Sequence, residues 1–237
     1  MPTSVTVHGD VVVVLNEGGA ANLAAFRLAR NGILWPTEGG TAAVHGTGSA
    51  EVLFDDHGEL LVVSNKTSNT IDVFEYEDGA IRFLYTAAAA GETPYGFAFA
   101  HNDVTVVSEA GTGSASSYKL SETGLTAVSA AVSDSQAAPC WLTVTNNGAF
   151  AYVANAQSSS VSLYSVAADG SLKLVEAAAG RSPGGATDLA LSRNSSYLYL
   201  LARGTVTTFG VRKDTGALTN LGVAIGMPAT LTGLAAR

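Results

Sequence analysis

Residues 141–177 read WLTVTNNGAFAYVANAQSSSVSLYSVAADGSLKLVEA, and this stretch decides the fold. Trp141 to Thr145 runs into the turn Asn146-Asn147-Gly148, whose residues tolerate positive φ, and Ala149 to Ala154 returns as a second strand. Ser160 to Val166 reads as a third strand, and Asp169-Gly170 turns the chain into a fourth, Ser171 to Ala177. The unit predicted is four antiparallel strands, lettered A to D along the chain.

The same unit recurs five times. The aromatics near the end of strand C, Phe26, Phe74, Tyr118, Tyr164 and Phe209, lie 48, 44, 46 and 45 residues apart, and Gly32, Gly79, Gly124, Gly170 and Gly216 mark the C–D turns with the same period. One small sheet cannot bury both faces alone, so a mid-forties repeat of short strands predicts an all-β propeller whose blades stack on one another. Five four-stranded blades are expected in a single domain over 1–40, 41–93, 94–138, 139–183 and 184–226. Strand side chains alternate from face to face. The aromatic column, and the column two positions before it (Ala24, Asp72, Ser116, Ser162 and Thr207), therefore project to one face, where the aromatics are expected to pack between blades. The alanine-rich stretch 87–90 falls, by its place in the repeat, at the end of a D strand.

The chain ends carry one A strand too many. Residues 2–10 match 94–103 and read as an A strand, yet 227–235 match 182–190 and read as another. An extra C-terminal closing strand over 227–237 is expected, competing with 2–7 for one inner position or pairing with a second chain, because an open strand edge is a template for association.

Composition narrows the function classes. The formal net charge is −8 with only 12 Lys and Arg, and no basic cluster, so no nucleic-acid partner is expected. The longest aliphatic run, Val11 to Leu15, is too short to span a bilayer, and the first residues lack the basic and apolar regions of a secretory signal. No membrane partner is expected, and the compartment stays open. The single cysteine, Cys140, allows no internal disulfide.

The stretches Val-Ser-Asn-Lys-Thr-Ser-Asn-Thr-Ile-Asp-Val-Phe (63–74), Tyr-Gly-Phe-Ala-Phe (95–99), Ala-Asp-Gly-Ser-Leu (168–172) and Thr-Gly-Leu-Ala-Ala-Arg (232–237) resemble the bacterial lactonase-like β-propellers, the 6-phosphogluconolactonase-type family. The resemblance covers essentially the whole chain. It implies a shortened, five-blade version of a seven-bladed propeller, in which the terminal segment closes the ring. Whether five repeats close or form an arc completed by a partner stays open. The resemblance also implies a small-molecule lactone or sugar acid as ligand.

In a propeller the B–C and D–A loops converge at one mouth of the channel. The residue after strand B is Asn16, Asn65, Glu109, Asn155 and Arg203 in the five blades. The asparagines suit loop punctuation or ligand contact. Glu109 and Arg203 break the column, and a carboxylate with a guanidinium suits water activation and carboxylate anchoring. His45, in the connection 39–49, is the one histidine expected to reach the Glu109 side, with Lys66 as a further cation. Cys140 heads an A strand and is expected to line the channel as a packed thiol. The cyclase-like members of the resembled family place a glutamate after strand B, as Glu109 does, with an arginine just after His-Pro at the start of the same blade. Here that stretch is Thr93-Pro94-Tyr95. The preferred expectation is therefore a binding scaffold for a small ligand or a protein, the alternative a lactone hydrolase using Glu109, Arg203 and His45. His8, His57 and His101 fall in A–B turns and read as turn chemistry, and neither a metal site nor a cofactor is expected.

Overall fold

The computed structural model describes residues 1–236. They form twenty strands in five four-stranded antiparallel sheets, each drawn from consecutive sequence, in a propeller-like all-β fold. The first sheet holds β1 (Pro2–His8), β2 (Val11–Asn16), β3 (Asn22–Leu28) and β4 (Leu34–Ala43). The second holds β5 (Ser49–Phe54), β6 (Leu60–Asn65), β7 (Thr70–Glu77) and β8 (Ala80–Ala88). The third holds β9 (Pro94–Ala100), β10 (Val104–Glu109), β11 (Ser114–Ser121) and β12 (Gly124–Ser133). The fourth holds β13 (Pro139–Val144), β14 (Phe150–Asn155), β15 (Ser160–Val166) and β16 (Leu172–Arg181), and the fifth β17 (Ala186–Leu191), β18 (Tyr197–Ala202), β19 (Thr205–Val211) and β20 (Leu218–Ala224). Among the described residues no helix is long and apolar enough to cross a membrane.

The chain divides into two compact units, Met1–Tyr95 with Leu120–Thr126, and Gly96–Lys119 with the residues from Ala127 onward. In the first unit, Val11, Val13, Leu15, Leu23 and Ala25 of the first sheet pack against Val52, Phe54, Leu61, Val63 and Phe74 of the second. In the second unit, Val104, Val106 and Ala115 of the third sheet meet Val153 and Tyr164 of the fourth. Tyr152, Val161 and Leu163 of the fourth then meet Leu198, Leu200 and Phe209 of the fifth. The expected inter-blade role of the aromatic column holds for Phe74, Tyr164 and Phe209, all 2 % exposed or less; Tyr118 is 1 % exposed. Phe26 stays half-buried. Phe74, Tyr164 and Phe209 each pack toward the sheet that precedes their own.

The A–B turns are knit by glycine and histidine. Gly58 takes a φ of +76° directly beneath the His8 ring, where an added Cβ would stand 2.5 Å from a ring carbon. Gly148 sits in the same way beneath His101, at 2.7 Å. Turn chemistry therefore accounts for both histidines, each of which covers the turn of the next blade.

The closing strand expected over 227–237 is absent from the described residues. β20 ends at Ala224, and 225–236 form no strand. The physical reason is that β1 already occupies the inner place of the first sheet and every other sheet has its own inner strand, so no ladder is left to join. The tail instead runs along the last sheet, where the Leu234 amide donates to Asp188 Oδ2 at 2.6 Å. Arg237 lies outside the described residues.

Candidate functional site

Strand B ends in a polar residue because the chain must turn there into strand C with its backbone groups satisfied. In the first blade, half-buried Asn16 donates from Nδ2 to Asn22 Oδ1 at 3.1 Å. In the second, Asn65 is fully buried, and its Oδ1 accepts from Ser49 Oγ at 2.8 Å. In the fourth, buried Asn155 donates to Ser160 Oγ at 3.1 Å and Ser162 Oγ at 2.8 Å. Three members of the column thus pin hairpins and loops of their own sheets.

Glu109, at the end of β10, sits in the most elaborate of these networks. Its side chain is 0 % exposed. Oε2 accepts from Ser114 Oγ at 2.7 Å, and Oε1 accepts from Ser116 Oγ at 2.6 Å and from Tyr118 OH at 3.3 Å. These three donors alternate along β11 because side chains at i, i+2 and i+4 share a face. Ser116 Oγ in turn accepts from the Ala131 amide at 2.8 Å, at a point where β12 bends through a positive φ of 45°. The carboxylate is thereby tied through Ser116 to the outer strand.

Two aspartates outside the expected set do comparable work. Asp72 is fully buried and accepts from the His45 and Gly46 amides, each at 2.9 Å, and from Thr86 Oγ1 at 2.6 Å. It fastens the loop that leads into the second blade. Asp134, before the fourth blade, accepts from Ser162 Oγ at 2.8 Å and from the Gln136 amide at 2.9 Å. Burial pushes its carboxyl above the ordinary range, against the pull of those hydrogen bonds.

The other expected site residues are spread among different settings. His45 is exposed, with its ring stacked on Phe83 at a centroid separation of 3.7 Å. Lys66 is half-buried, its Nζ 4.9 Å from the centre of the Tyr95 ring, a cation–π contact. Cys140 is half-buried at a bulge of β13, between paired Pro139 and Trp141, and its carbonyl accepts from Ser108 Oγ at 2.5 Å. Arg203 is exposed beyond the end of β18 and takes a φ of 40°. In the second unit, buried Glu109 and exposed Arg203 therefore occupy different environments. Two cavities of this unit lie elsewhere. One of about 160 Å³ is lined by Asn146, Phe150, Asn194 and Lys213, and another of about 260 Å³ by His101, Asn102 and Asn147.

What the arrangement does chemically follows from these contacts. A general base needs a free lone pair aimed at solvent or substrate. Glu109 Oε2 accepts from one hydroxyl and Oε1 from two, at a side chain 0 % exposed. The B–C end of the sheets is a polar, hydrogen-bonded rim of amides and hydroxyls.

The chain matches the family model described as lactonase, 7-bladed beta-propeller, over residues 20–111 and 104–186. No curated protein matches it. It is similar to the crystal structure of a putative 6-phosphogluconolactonase from Bacteroides uniformis, with a TM-score of 0.82 and 20 % identity over 95 % of this chain and 72 % of that one. A putative 6-phosphogluconolactonase from Bacteroides fragilis is similar at a TM-score of 0.79 and 21 % identity, over 95 % and 71 % of the two chains. The periplasmic gluconolactonase of Pseudomonas aeruginosa is similar at a TM-score of 0.80 and 18 % identity, over 94 % and 72 %. At these identities the likeness is one of fold.

Proposed function

Because the chain belongs to the lactonase family of 7-bladed beta-propellers, we propose that it is a lactonase-like propeller acting as a binding scaffold for a small lactone or sugar acid, without turning it over. The observation that carries this reading is the state of Glu109, buried and accepting from Ser114, Ser116 and Tyr118. A base held this way would first have to break charge-assisted hydrogen bonds, each worth about 1.5–3 kcal/mol. Exposed Arg203 remains as a group suited to a ligand bearing a carbonyl or carboxylate.

A lactone hydrolase is the second reading, favoured by the names of the relatives from Bacteroides and Pseudomonas. In it Glu109 activates water, Arg203 anchors a carboxylate and His45 or Lys66 assists. One experiment separates the two. Hydrolysis of sugar lactones and of simple γ- and δ-lactones is followed for the parent chain, Glu109→Gln and Arg203→Ala, alongside calorimetric titration with gluconolactone and gluconate. The scaffold reading expects binding of at least one ligand with hydrolysis at the uncatalysed rate. Turnover that Glu109→Gln abolishes while the protein stays folded establishes the hydrolase, and absence of both binding and turnover removes the small-ligand reading.

A further inference from the structure

At the A–B end of the second unit the same niche is built twice, one blade apart. In the first copy the A–B turn of the third sheet, with His101 and Asn102, meets that of the fourth, with Asn147 and Gly148, and the fourth sheet's C–D turn adds Val166, Ala167 and Ala168. In the second copy Asn146 and Asn147 of the fourth sheet meet Asn194 and Ser195 of the fifth. Val211 and Lys213 stand there at the places that Val166 and Ala168 hold in the first copy, counted from the ends of β15 and β19. The fold accepts alanine at that point, so the lysine is not required by the turn.

The apolar wall of the second niche is pre-formed. Phe150 is half-buried, and its ring lies over Gly216, where an added Cβ would stand 2.7 Å from a ring carbon. Val211 extends the wall, and the space of about 160 Å³ is of the size that takes one aromatic ring, about 150 Å³.

The polar groups of this niche are donors. Asn147 Oδ1 accepts from Thr145 Oγ1 at 2.7 Å and from the Ala149 amide at 3.2 Å, and Asn194 Oδ1 accepts from Ser192 Oγ at 3.0 Å and from the Ser196 amide at 3.1 Å. With each oxygen held by its own turn, the two side chains have their NH2 groups left to offer. Ser195, only 7 % exposed, accepts from the Asn146 amide at 2.9 Å and keeps its hydroxyl proton to give. Lys213 alone is charged among the lining residues. Arg193 and Arg212 lie on the same two turns, against one carboxylate, Asp214, which Arg212 engages at 3.8 Å. Three cations to one anion is a local reversal in a chain of formal net charge −8, and such a field draws an anionic ligand.

We propose that the niche between the fourth and fifth sheets binds a small aromatic monocarboxylate, its ring against Phe150 and Val211 and its carboxylate met by Lys213 and the side-chain amides of Asn147 and Asn194. The apolar wall gives nothing to the hydroxyls of a sugar acid. The site lies at the A–B end, away from the B–C end that carries Glu109 and Arg203, and it does not rest on the scaffold reading.

Benzoate is the probe, titrated against the full chain by calorimetry and by amide chemical shifts. A dissociation constant of about 1 mM is expected for a ligand this small. The shifts should concentrate at residues 145–150, 194–195 and 211–213, with none there from gluconate. Lys213→Ala should weaken benzoate binding about three- to fivefold, the scale of one exposed ion pair, and Lys213→Glu about tenfold. The position is exposed, so the melting temperature of both variants should match that of the parent. Benzamide, which keeps the ring and loses the charge, should bind the parent and Lys213→Ala equally weakly. Absence of benzoate binding up to about 20 mM, shifts placed elsewhere, affinity indifferent to both Lys213 variants, an equal response to gluconate at these amides, or benzamide binding as tightly as benzoate would overturn the proposal.

Discussion

Replacing Glu109 by alanine tests whether this residue is a beam of the third blade or a tool of chemistry. The substitution removes the acceptor of three hydroxyls, Ser114 Oγ at 2.7 Å, Ser116 Oγ at 2.6 Å and Tyr118 OH at 3.3 Å, at a position 0 % exposed. Each hydroxyl left unsatisfied costs about 1–3 kcal/mol, and part is recovered because a buried charge has gone. The net loss expected is about 3–5 kcal/mol. For a domain of this size 1 kcal/mol corresponds to about 2–4 °C, so the melting temperature should fall by roughly 6–20 °C. Glu109→Gln keeps the shape and one carbonyl oxygen, while Ser114 Oγ can turn to accept from the new amide, and its cost should stay near 1 kcal/mol. Ser116→Ala, alone and combined with Glu109→Ala, completes a double-mutant cycle in which the combined loss is smaller than the sum. Urea denaturation and thermal melting at equal protein concentration measure the parent and all four variants. A fall below about 2 °C in Glu109→Ala, or strict additivity in the cycle, would refute the structural role.

The remaining predictions concern packing, charge and close approach. Phe74→Ala, at a fully buried position, should cost about 3–5 kcal/mol, whereas Phe26→Ala at the same place in the repeat should cost about 1 kcal/mol; equal losses by denaturant titration would contradict the burial contrast. Asp188 has its carboxyl pushed up from 3.8 to about 6, chiefly by burial and against the pull of the Leu234 and Leu189 amides. The folded state therefore holds this proton more tightly than the unfolded one, so the stability Asp188 contributes is fully present below its ordinary value and is lost as pH rises through about 6. Asp188→Asn should accordingly gain stability relative to the parent at pH 8, by up to about 3 kcal/mol, and lose that advantage near pH 4; a gain independent of pH would sink the assignment. Gly46→Ala places a Cβ 2.2 Å from Asn65 Nδ2 and should lower stability by about 1–3 kcal/mol, seen in thermal melts, with the loss reduced in Gly46→Ala combined with Asn65→Ala.

The repeat made the architecture legible before any coordinate. Strand B, strand C and the C–D turn leave period-two patterns and glycines that local chemistry enforces in every copy, which is why β15 was expected over the same residues, Ser160–Val166, that it occupies. The strand ends were less legible. β4 runs to Ala43 and β16 to Arg181, since outer strands are held by ladder bonds whose length no side-chain pattern marks. The tail failed for a different reason. Residues 227–235 resemble an A strand in composition, but a strand exists only where a partner edge is open, and that is a property of the whole assembly rather than of the segment.

The polar column after strand B was half-legible. The column after strand B announced itself by position, and Glu109 and Arg203 stood out as the charged residues among asparagines. What the column could not say was how deep each member lies. In the neighbouring column, two places before the aromatics, Ser116 donates to Glu109 and Ser162 accepts from Asn155, while Asp72 accepts from the His45 amide. Ser116 and Ser162 find hydrogen-bond partners on that face, whereas Thr207 Oγ1 is buried without one. Read together, the two columns describe interlocking networks that hold loops and hairpins, with Glu109 as the acceptor for serines that carry the outer strand at Ala131. Such a network holds Glu109 buried among Ser114, Ser116 and Tyr118, whose hydroxyls donate to its two oxygens.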